Sequence, residues 1–417
     1  MKVLAVGYAC NPYGGSEQAV GWNAVRRIAR HHDVWVLTDD HNRAGWTKAT
    51  AEGLVPANVT VRFLREAKDS PPNRFIAHVQ SWLNYADFTR KVLAEARAWH
   101  EEIGFDLCHQ VTIASWRMPS PLWQLPVPFV WGPVGGAGHI PKAFRTILSP
   151  SARAFEFARD FSNRSAMRSR AFRDCVEKAA VVIAANEETE ELLKPFRKVA
   201  PMIRLPVTTL AQESIARLTS GHPVPDASGP LRMFAGGNME GRKGVALALR
   251  AVAGAVAKGI PVHYTIAGGG PEIPSLQGLA ASLGITQHVE FHPGFSGDDY
   301  VRALQGSDVY FLPSFRETMG MTLVEAILAG CYPVVADTSA QGEIVRMAGG
   351  IAVPVQSVDG LVAGLTEAIV WCHGHRAELP EKTRAIAARI TEYLSYDRTD
   401  QALEHAYRES VVSQVKS

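Results

Sequence analysis

The chain of 417 residues is longer than one hydrophobic core ordinarily supports, so its length predicts two domains. It is 47% hydrophobic and 20% charged with a formal net charge of +2, which is typical of a soluble globular protein and gives no reason to expect a nucleic-acid partner. The five cysteines are scattered and never in CxxC spacing, which predicts reduced thiols and a cytoplasmic location rather than disulfides or a zinc site.

The first half of the chain alternates short apolar runs with amphipathic stretches. The runs typical of buried strands are "KVLAVG", "DVWVLT", "VTVRFL", "DLCHQV", "PFVWGPV" and "AAVVIAA". The turn "NPYGG" follows the first run at once, which favours a strand over a signal peptide, and no run approaches the ~18 apolar residues of a membrane span. This alternation predicts a parallel sheet covered on both faces by helices such as "RKVLAEARAWHEEI".

The turn "NPYGGSEQ" joins the first predicted strand to the first predicted helix. Gly14 and Gly15 permit a ligand to approach the backbone closely, and Ser16 is a good N-cap for a helix whose free amides would attract an anion. The turn lacks the GxGxxG pattern of a dinucleotide site. A plain strand-to-helix turn is the alternative.

The segment 142–178, "KAFRTILSPSARAFEFARDFSNRSAMRSRAFRDCVEK", has an excess of Arg and Lys interleaved with Phe and Ala. This pattern predicts either peripheral contact with an anionic membrane or steering of a phosphorylated lipid-linked acceptor. A solvated basic helical face is the alternative.

A stretch rich in Pro, Gly and Ser, "SGHPVPDASGP" at 220–230, predicts a linker between domains. A second alternating series then follows: "LRMFAGG", "VHYTIAGG", "HVEFHPG", "DVYFLPS", "YPVVAD" and "GIAVPV". This series predicts a second doubly wound domain, and "TEYLSYDRTDQALEHAYRES" predicts a final helical stretch. Ligands of such sheets bind at the carboxyl ends of the strands, so we expect the two domains to face each other across a ligand-binding cleft.

The glycine-rich turn "FAGGNMEGRKG" precedes a helix in the second domain. Arg242 and Lys243 lie where that helix begins, so their charges add to its positive end. A pyrophosphate needs such a cluster of cations and amides, although a solvated basic turn is the alternative.

Two glutamates stand eight positions apart in "RETMGMTLVEA". Glu317 follows a predicted strand, and Glu325 lies among apolar residues of a predicted helix. A buried carboxylate requires a partner, which a sugar or ribose hydroxyl would supply. The alternative for either glutamate is an ordinary surface charge or helix cap.

The stretch "PSFRETMGMTLVEAILAGCYPVVAD" resembles the E-x7-E signature of retaining GT-B glycosyltransferases, most closely glycosyltransferase family 4. The stretches "GGNMEGRKG", "YTIAGGGPE", "VEFHPGFSGDDYVRALQGSDVYFLPS", "GGSEQ" and "FDLCHQ" follow the order and spacing of that family. The resemblance implies two Rossmann-like domains in GT-B architecture: an acceptor-side domain at 1–205, a linker at 206–230 and a nucleotide-sugar domain at 231–394. It also implies that a final helix at 395–417 crosses back to the first domain.

The resemblance assigns roles to individual residues. It implies that Glu317 holds hydroxyls of the donor sugar, Glu325 holds the ribose and Lys243 contacts the diphosphate. The catalytic residues that the resemblance implies are His109, Glu317 and Lys243. Its donor-binding residues are Gly14, Gly15, Gly237, Arg242, Lys243, Phe295, Glu317, Met319, Gly320, Met321, Thr322 and Glu325. The resemblance implies that His109 lies at the end of the fourth strand, near the transferred sugar. Without the resemblance, a lone histidine after an apolar strand is more often structural.

Two positions depart from the family pattern. Gly237 and Asn238 stand where the family commonly has a Gly-Arg pair whose arginine grips the diphosphate, so we expect Arg242 to supply part of that charge. Thr318 follows Glu317 where glycine is common, so the placement of the sugar could differ.

The resemblance implies a retaining hexosyltransferase that acts in bacterial polysaccharide or glycolipid biosynthesis. Its donor would be a nucleotide-diphosphate sugar, and its acceptor a glycan, lipid-linked or small-molecule hydroxyl. No metal or cofactor is expected, and the location would be cytoplasmic or at the inner face of the membrane.

Two alternatives remain open at the sequence level. One is a GT-B phosphorylase or epimerase, although no pyridoxal-phosphate lysine motif of the glycogen phosphorylase type is found. The other is a catalytically degenerate nucleotide-sugar-binding protein, which the missing Gly-Arg arginine favours and the presence of Glu317, Glu325 and Lys243 disfavours.

Overall fold

Two α/β units, each built on one parallel sheet, make up the chain. The computed structural model describes residues 1–14, 16–64, 74–197, 201–207, 212–220 and 229–415. The first unit contains Met1–Ala137, Ser162–Thr209 and Leu394–Ser417, and the second contains Gly138–Phe161 and Leu210–Tyr393. The prediction of two doubly wound parallel sheets is confirmed.

The first unit holds a sheet of seven strands in the order β3-β2-β1-β4-β5-β6-β7. The strands are β1 Lys2–Gly7, β2 Asp33–Asp39, β3 Val59–Leu64, β4 Leu107–Thr112, β5 Phe129–Val134, β6 Val181–Ala184 and β7 Met202–Arg204. The helices that begin in the first half of the chain are α1 Ser16–Ile28, α2 Arg43–Ala51, α3 Arg74–Ile103, α4 Pro150–Arg168, α5 Arg170–Lys178 and α6 Glu187–Leu193. The sequence analysis did not mark the short strand β7.

Both faces of this sheet are buried because apolar residues fill both parities of its central strands. In β4, Leu107 and Val111 belong to one core cluster, whereas Cys108 belongs to the cluster on the other face. Successive side chains of a strand point to opposite faces, so an apolar run without alternation requires helices on both sides.

The second unit holds a sheet of six strands in the order β10-β9-β8-β11-β12-β13. The strands are β8 Leu231–Gly236, β9 Val262–Ala267, β10 Val289–His292, β11 Val309–Leu312, β12 Tyr332–Ala336 and β13 Ile351–Val353. The helices are α7 Gln212–Thr219, α8 Val245–Ala257, α9 Ile273–Ser282, α10 Gly297–Gln305, α11 Met321–Leu328, α12 Ser339–Ala348, α13 Val358–Gly374 and α14 Leu379–Tyr393. The final helix of the chain, α15 Tyr396–Val415, lies in the first unit.

The domain boundaries drawn from the sequence placed residues 138–161 in the first domain. In the structure they belong to the second unit, so α4 contributes residues to both units. The ring centroids of Phe144 and Phe315 lie 4.9 Å apart. Arg316 Nη1 also donates to both carboxylate oxygens of Glu156, at 2.7 and 2.9 Å. These contacts attach the segment to the loop that follows β11.

The predicted linker at 206–230 is described only in part. Residues 208–211 and 221–228 lie outside the described residues, and α7 occupies 212–219. The predicted final helical stretch is divided, because α14 ends at Tyr393 and α15 begins at Tyr396. No helix in the described part of the chain is long and apolar enough to cross a membrane.

Candidate functional site

The loops that follow β8 and β11 meet at the carboxyl edge of the second sheet. Gly244 has a φ of +67°, and a Cβ at this position would lie 2.2 Å from the carbonyl oxygen of Pro313. The amide of Phe315 donates to the carbonyl of Arg242 at 2.8 Å. Only glycine tolerates both this conformation and this approach, so Gly244 allows the two loops to come together.

A cluster of charged side chains forms where these loops meet. Lys243 Nζ lies 2.7 Å from Glu317 Oε1, and Arg242 Nη1 lies 3.2 Å from the same oxygen. The hydroxyl of Ser314 also donates to that oxygen, at 2.9 Å. A Cβ at Gly237 would lie 3.2 Å from Lys243 Nζ, so Gly237 leaves room for the ammonium group.

Glu317 remains ionised in this cluster. Burial works to raise the pKa of its carboxyl, but the charges of Lys243 and Arg242 outweigh burial and lower the pKa below its ordinary value. Lys243 is itself only 6% exposed. The cluster therefore holds a cation and a carboxylate in fixed positions and largely away from water, which strengthens their electrostatic effect.

Arg242 lies beside Lys243, where the sequence analysis expected a compensating charge. Its Nε pairs with Glu240 Oε2 at 2.8 Å, and its Nη1 donates to the carbonyl of Arg316 at 2.9 Å. Asn238, at the position where the family pattern has arginine, donates to the other oxygen of Glu240 at 2.6 Å. Glu240 thus holds both side chains of this turn.

The helix α11 begins at the same edge. Gly320 precedes it with a φ of +70°, and a Cβ there would lie 2.9 Å from Gln341 Cγ. A Cβ at Gly236, the last residue of β8, would lie 2.9 Å from Thr322 Cγ2. The first-turn amides of α11, at Met321 and Thr322, therefore lie near the end of β8, and such amides have no acceptor within their own helix.

Glu325 forms a second, separate part of the site. Tyr300 donates its hydroxyl to Glu325 Oε2 at 2.7 Å, and burial raises the pKa of Glu325 despite this hydrogen bond. Tyr300 and Phe295 both lie against Phe234, with ring centroids 6.3 and 6.4 Å away. Phe295 and Phe234 line an open depression of about 540 Å³ in this unit.

Sequence reasoning missed Gln341, which lies on α12. Its side chain is 1% exposed, its Nε2 donates to the hydroxyl of Tyr310 at 3.0 Å, and its Oε1 has no partner in the described structure. An unpaired buried acceptor beside Gly320 is a potential ligand contact. No local motif around Gln341 signals this, because only the fold brings α12 to the site.

His109 does not have the position that the sequence analysis expected. It lies in the middle of β4 rather than at its end, and it is 1% exposed. Its Nε2–H donates to the carbonyl of Gly132 at 2.6 Å, so its Nδ1 accepts from the hydroxyl of Tyr407 at 2.5 Å. Both ring nitrogens are engaged within the first unit, and burial lowers the pKa of His109 to about 4. His109 therefore links β4 to β5 and α15, and its catalytic role stays a prediction.

The glycine turn before α1 also belongs to the first unit. A Cβ at Gly14 would overlap Gln18, whose carbonyl accepts from the amide of Asn11 at 3.1 Å. Gly15 lies outside the described residues. Glu17, which sequence reasoning did not single out, accepts from the amide of Ala114 at 2.7 Å and so ties α1 to the segment after β4.

The match to a known protein family lies almost entirely in the second unit. Residues 226–395 match the sequence profile of glycosyl transferases group 1, so this unit carries a domain of that kind. A D-inositol 3-phosphate glycosyltransferase of Salinispora tropica is 32% identical over 151 residues, which are 34% of this chain and 29% of that relative. The matches span less than two thirds of the length of the curated relatives.

Solved structures share the fold over almost the whole chain. Sucrose-phosphate synthase from Thermosynechococcus elongatus superposes with a TM-score of 0.63 at 15% identity and covers 99% of both chains. HepE of Anabaena in complex with UDP-glucose superposes with a TM-score of 0.57 at 16% identity, over 99% of this chain and 100% of that one. These similarities confirm the predicted fold, two Rossmann-like domains in GT-B architecture.

Proposed function

We propose that this protein transfers a hexose from a nucleotide-diphosphate sugar to an acceptor hydroxyl, with retention of the anomeric configuration. The observation that carries the proposal is the cluster of Lys243, Arg242 and Glu317 at the carboxyl edge of a sheet within a glycosyltransferase group 1 domain. Cations beside a preorganised carboxylate suit a donor that combines a diphosphate with sugar hydroxyls.

Each part of the cluster has a role in this proposal. Lys243 and Arg242 contact the diphosphate, and their charge stabilises the negative charge that develops on it as the leaving group. Glu317 accepts hydrogen bonds from the donor sugar, and the amides of Met321 and Thr322 contact the sugar and phosphate. Glu325 binds the ribose, and Phe295 lines the adjacent nucleoside subsite.

The proposed transfer proceeds by attack on the same face that the leaving group departs from. The bond between the anomeric carbon and the diphosphate oxygen breaks, the acceptor oxygen bonds to that carbon, and its proton passes to the departing diphosphate. This route requires no nucleophile from the protein. Lys243, Arg242 and the first-turn amides of α11 stabilise the charge of the departing diphosphate.

We propose the donor and the acceptor by chemical class. The complex of a structural neighbour with UDP-glucose makes this nucleotide sugar the first donor to test. Relatives that are named D-inositol 3-phosphate glycosyltransferases make a phosphorylated small-molecule acceptor worth testing beside glycan and lipid-linked acceptors of bacterial polysaccharide or glycolipid synthesis.

The test is a transfer assay with UDP-, GDP- and ADP-sugars against these acceptors. Glu317→Ala should lower kcat roughly 100-fold to 1,000-fold, because it removes a charged contact at the reacting centre. Glu367→Ala is the matched control, since Glu367 is an exposed glutamate of the same unit that pairs with Lys258. Product with the same anomeric configuration as the donor would support retention.

Near-wild-type transfer by Glu317→Ala would remove Glu317 from the site. If nucleotide sugars bind but are never consumed with any acceptor, the protein is a degenerate binding protein instead. Sugar 1-phosphate formed with inorganic phosphate would point to a phosphorylase, and interconversion of the nucleotide sugar without an acceptor would point to an epimerase.

A further inference from the structure

The helix α4, Pro150–Arg168, exposes large apolar side chains on the surface of the protein. Phe157 is 75% exposed and Phe161 is 71% exposed, and Phe155, elsewhere on the same helix, is 57% exposed. Burying such side chains is favourable, so a cluster of this kind on one helix commonly marks an interaction surface.

Phe157 and Phe161 form one face of α4 together with arginines. Arg153, Phe157, Phe161, Arg164 and Arg168 follow helical spacing, so they form a single stripe along the helix, and the three arginines are exposed. We call these five residues the α4 stripe. The opposite side of the helix holds Glu156 and Arg159, which are buried.

In the described part of the chain, the α4 stripe has no acidic partner. The only acids in α4 are Glu156 and Asp160, and they pair with Arg316 and Arg145 at 2.7 Å each. Within the described part of the chain, no residue of opposite charge pairs with the three arginines of the stripe. The stripe therefore carries an uncompensated positive charge around two exposed phenyl rings.

We propose that the α4 stripe binds the surface of an anionic lipid membrane. Its two phenyl rings would enter the boundary between headgroups and acyl chains, and its three arginines would pair with anionic headgroups. A helix with aromatic side chains among cations on one face binds in the plane of a membrane, to a depth of about 5–10 Å. The stripe is charge-complementary to such a surface, and the stems of the arginines can follow the rings into it. This inference does not depend on the proposed transfer activity.

The test is cosedimentation of the whole protein with vesicles of phosphatidylcholine alone or mixed with phosphatidylglycerol. The wild type should sediment with the mixed vesicles at low salt, should stay in solution with neutral vesicles, and should bind less as salt screens the charges. Arg164→Gln with Arg168→Gln should lower the partition coefficient roughly 30-fold, because each arginine near an anionic surface contributes roughly fivefold. Phe157→Ser with Phe161→Ser should lower it at least about tenfold.

Matched controls separate the stripe from general effects. Arg26→Gln with Arg250→Gln removes the same charge from exposed sites elsewhere, and Leu54→Ser with Met347→Ser removes partly exposed apolar side chains elsewhere. Both control proteins should sediment like the wild type.

Three outcomes would overturn the proposal: no sedimentation of the wild type with anionic vesicles, unchanged sedimentation of the stripe variants, or equal loss in the controls. Sedimentation velocity without lipid tests the alternative that the stripe binds a second copy of the chain. If the serine variant converts a dimer to a monomer and vesicles bind neither form, the stripe is a contact between copies.

Discussion

Glu317 is a largely buried titratable group and His109 a fully buried one, and the fold treats the two in opposite ways. Glu317 is kept ionised because Lys243 and Arg242 lie within 3.2 Å of one of its oxygens. His109 is kept neutral because burial opposes its charge and its two nitrogens contact a carbonyl and a hydroxyl. The first arrangement leaves charges available to a ligand, whereas the second uses both ring nitrogens for contacts with β5 and α15.

The neutral state of His109 predicts how the stability of the protein depends on pH. The pKa is about 4 in the folded protein and ordinarily about 6.5 in an unfolded chain, so the unfolded state binds more protons between these values. The stabilisation is therefore complete above about pH 6.5 and is lost as the pH falls toward 4. Between about pH 7 and pH 5 the wild type should lose roughly 2 kcal/mol of unfolding free energy through His109.

Urea unfolding of His109→Gln at these two pH values measures this contribution. Glutamine retains an N–H donor for Gly132 but does not titrate, so the variant should lose roughly 2 kcal/mol less than the wild type over the same range. His139→Gln removes an exposed histidine and should keep the wild-type pH dependence. A His109→Gln protein that loses as much free energy as the wild type would contradict the neutral, buried state of His109.

The sequence predicted some of these residue positions and not others. Glu317 was expected just after a strand, because an apolar run ends at Pro313, and Lys243 was expected at the start of a helix that follows a glycine-rich turn. Their direct ion pair was not foreseen, because it depends on the approach of Gly244 to Pro313. His109 was assigned to the end of its strand, but pairing of β4 with both of its neighbours places it in the middle of the strand.

At the scale of elements, glycines at the carboxyl edge of the second sheet set the distances in the candidate site. The turn after β8 approaches the loop after β11 at Gly244, the start of α11 approaches α12 at Gly320, and the loop after β9 approaches the turn after β8 at Gly268. A Cβ at Gly268 would lie 2.0 Å from the carbonyl oxygen of Gly237. The motif "YTIAGGGPE" thus reflects backbone packing beneath the site.

Gly320→Ala tests whether this geometry matters for both stability and binding. Alanine at a φ of +70° costs roughly 1–2 kcal/mol in backbone strain, and its Cβ would press on Gln341 at 2.9 Å. The variant should therefore have a lower free energy of unfolding and weaker donor binding than the wild type.

Gly278→Ala is the matched control for that substitution. Gly278 lies within α9, and a Cβ there would meet nothing within 4 Å. Alanine favours helix, so this control should raise the free energy of unfolding by up to about 1 kcal/mol and leave donor binding unchanged. Equal stability of the two variants would contradict the left-handed conformation of Gly320.

At the scale of the whole molecule, the second unit is built from two separate parts of the chain. Residues 138–161 belong to it although they lie before β6 and β7 of the first unit. Sequence periodicity predicts secondary-structure elements and their order, and it correctly predicted both parallel sheets. It carries no information about which unit an intervening segment packs against, since that depends on distant contacts such as Glu156 with Arg316.

A fragment of residues 210–393 should therefore be incomplete. It lacks the partners of Phe315 and Arg316, so a peptide of residues 138–161 added in trans should raise its Tm in a concentration-dependent way. A peptide with Glu156→Ala should raise the Tm less, because it leaves Arg316 without its carboxylate. Stabilisation that is equal with both peptides, or absent with both, would contradict the role of this segment in the second unit.

The central claim is that Lys243 binds the diphosphate of a nucleotide-sugar donor. Titration calorimetry of the wild type, Lys243→Ala and Lys258→Ala with UDP, GDP and ADP tests it most directly. Lys258 is the control because it forms an exposed ion pair with Glu367 in the same unit. The account predicts that at least one nucleotide binds the wild type and Lys258→Ala equally, and binds folded Lys243→Ala roughly 10-fold to 100-fold more weakly. Equal affinity for Lys243→Ala, or no binding of any of the three nucleotides to the wild type, would contradict it.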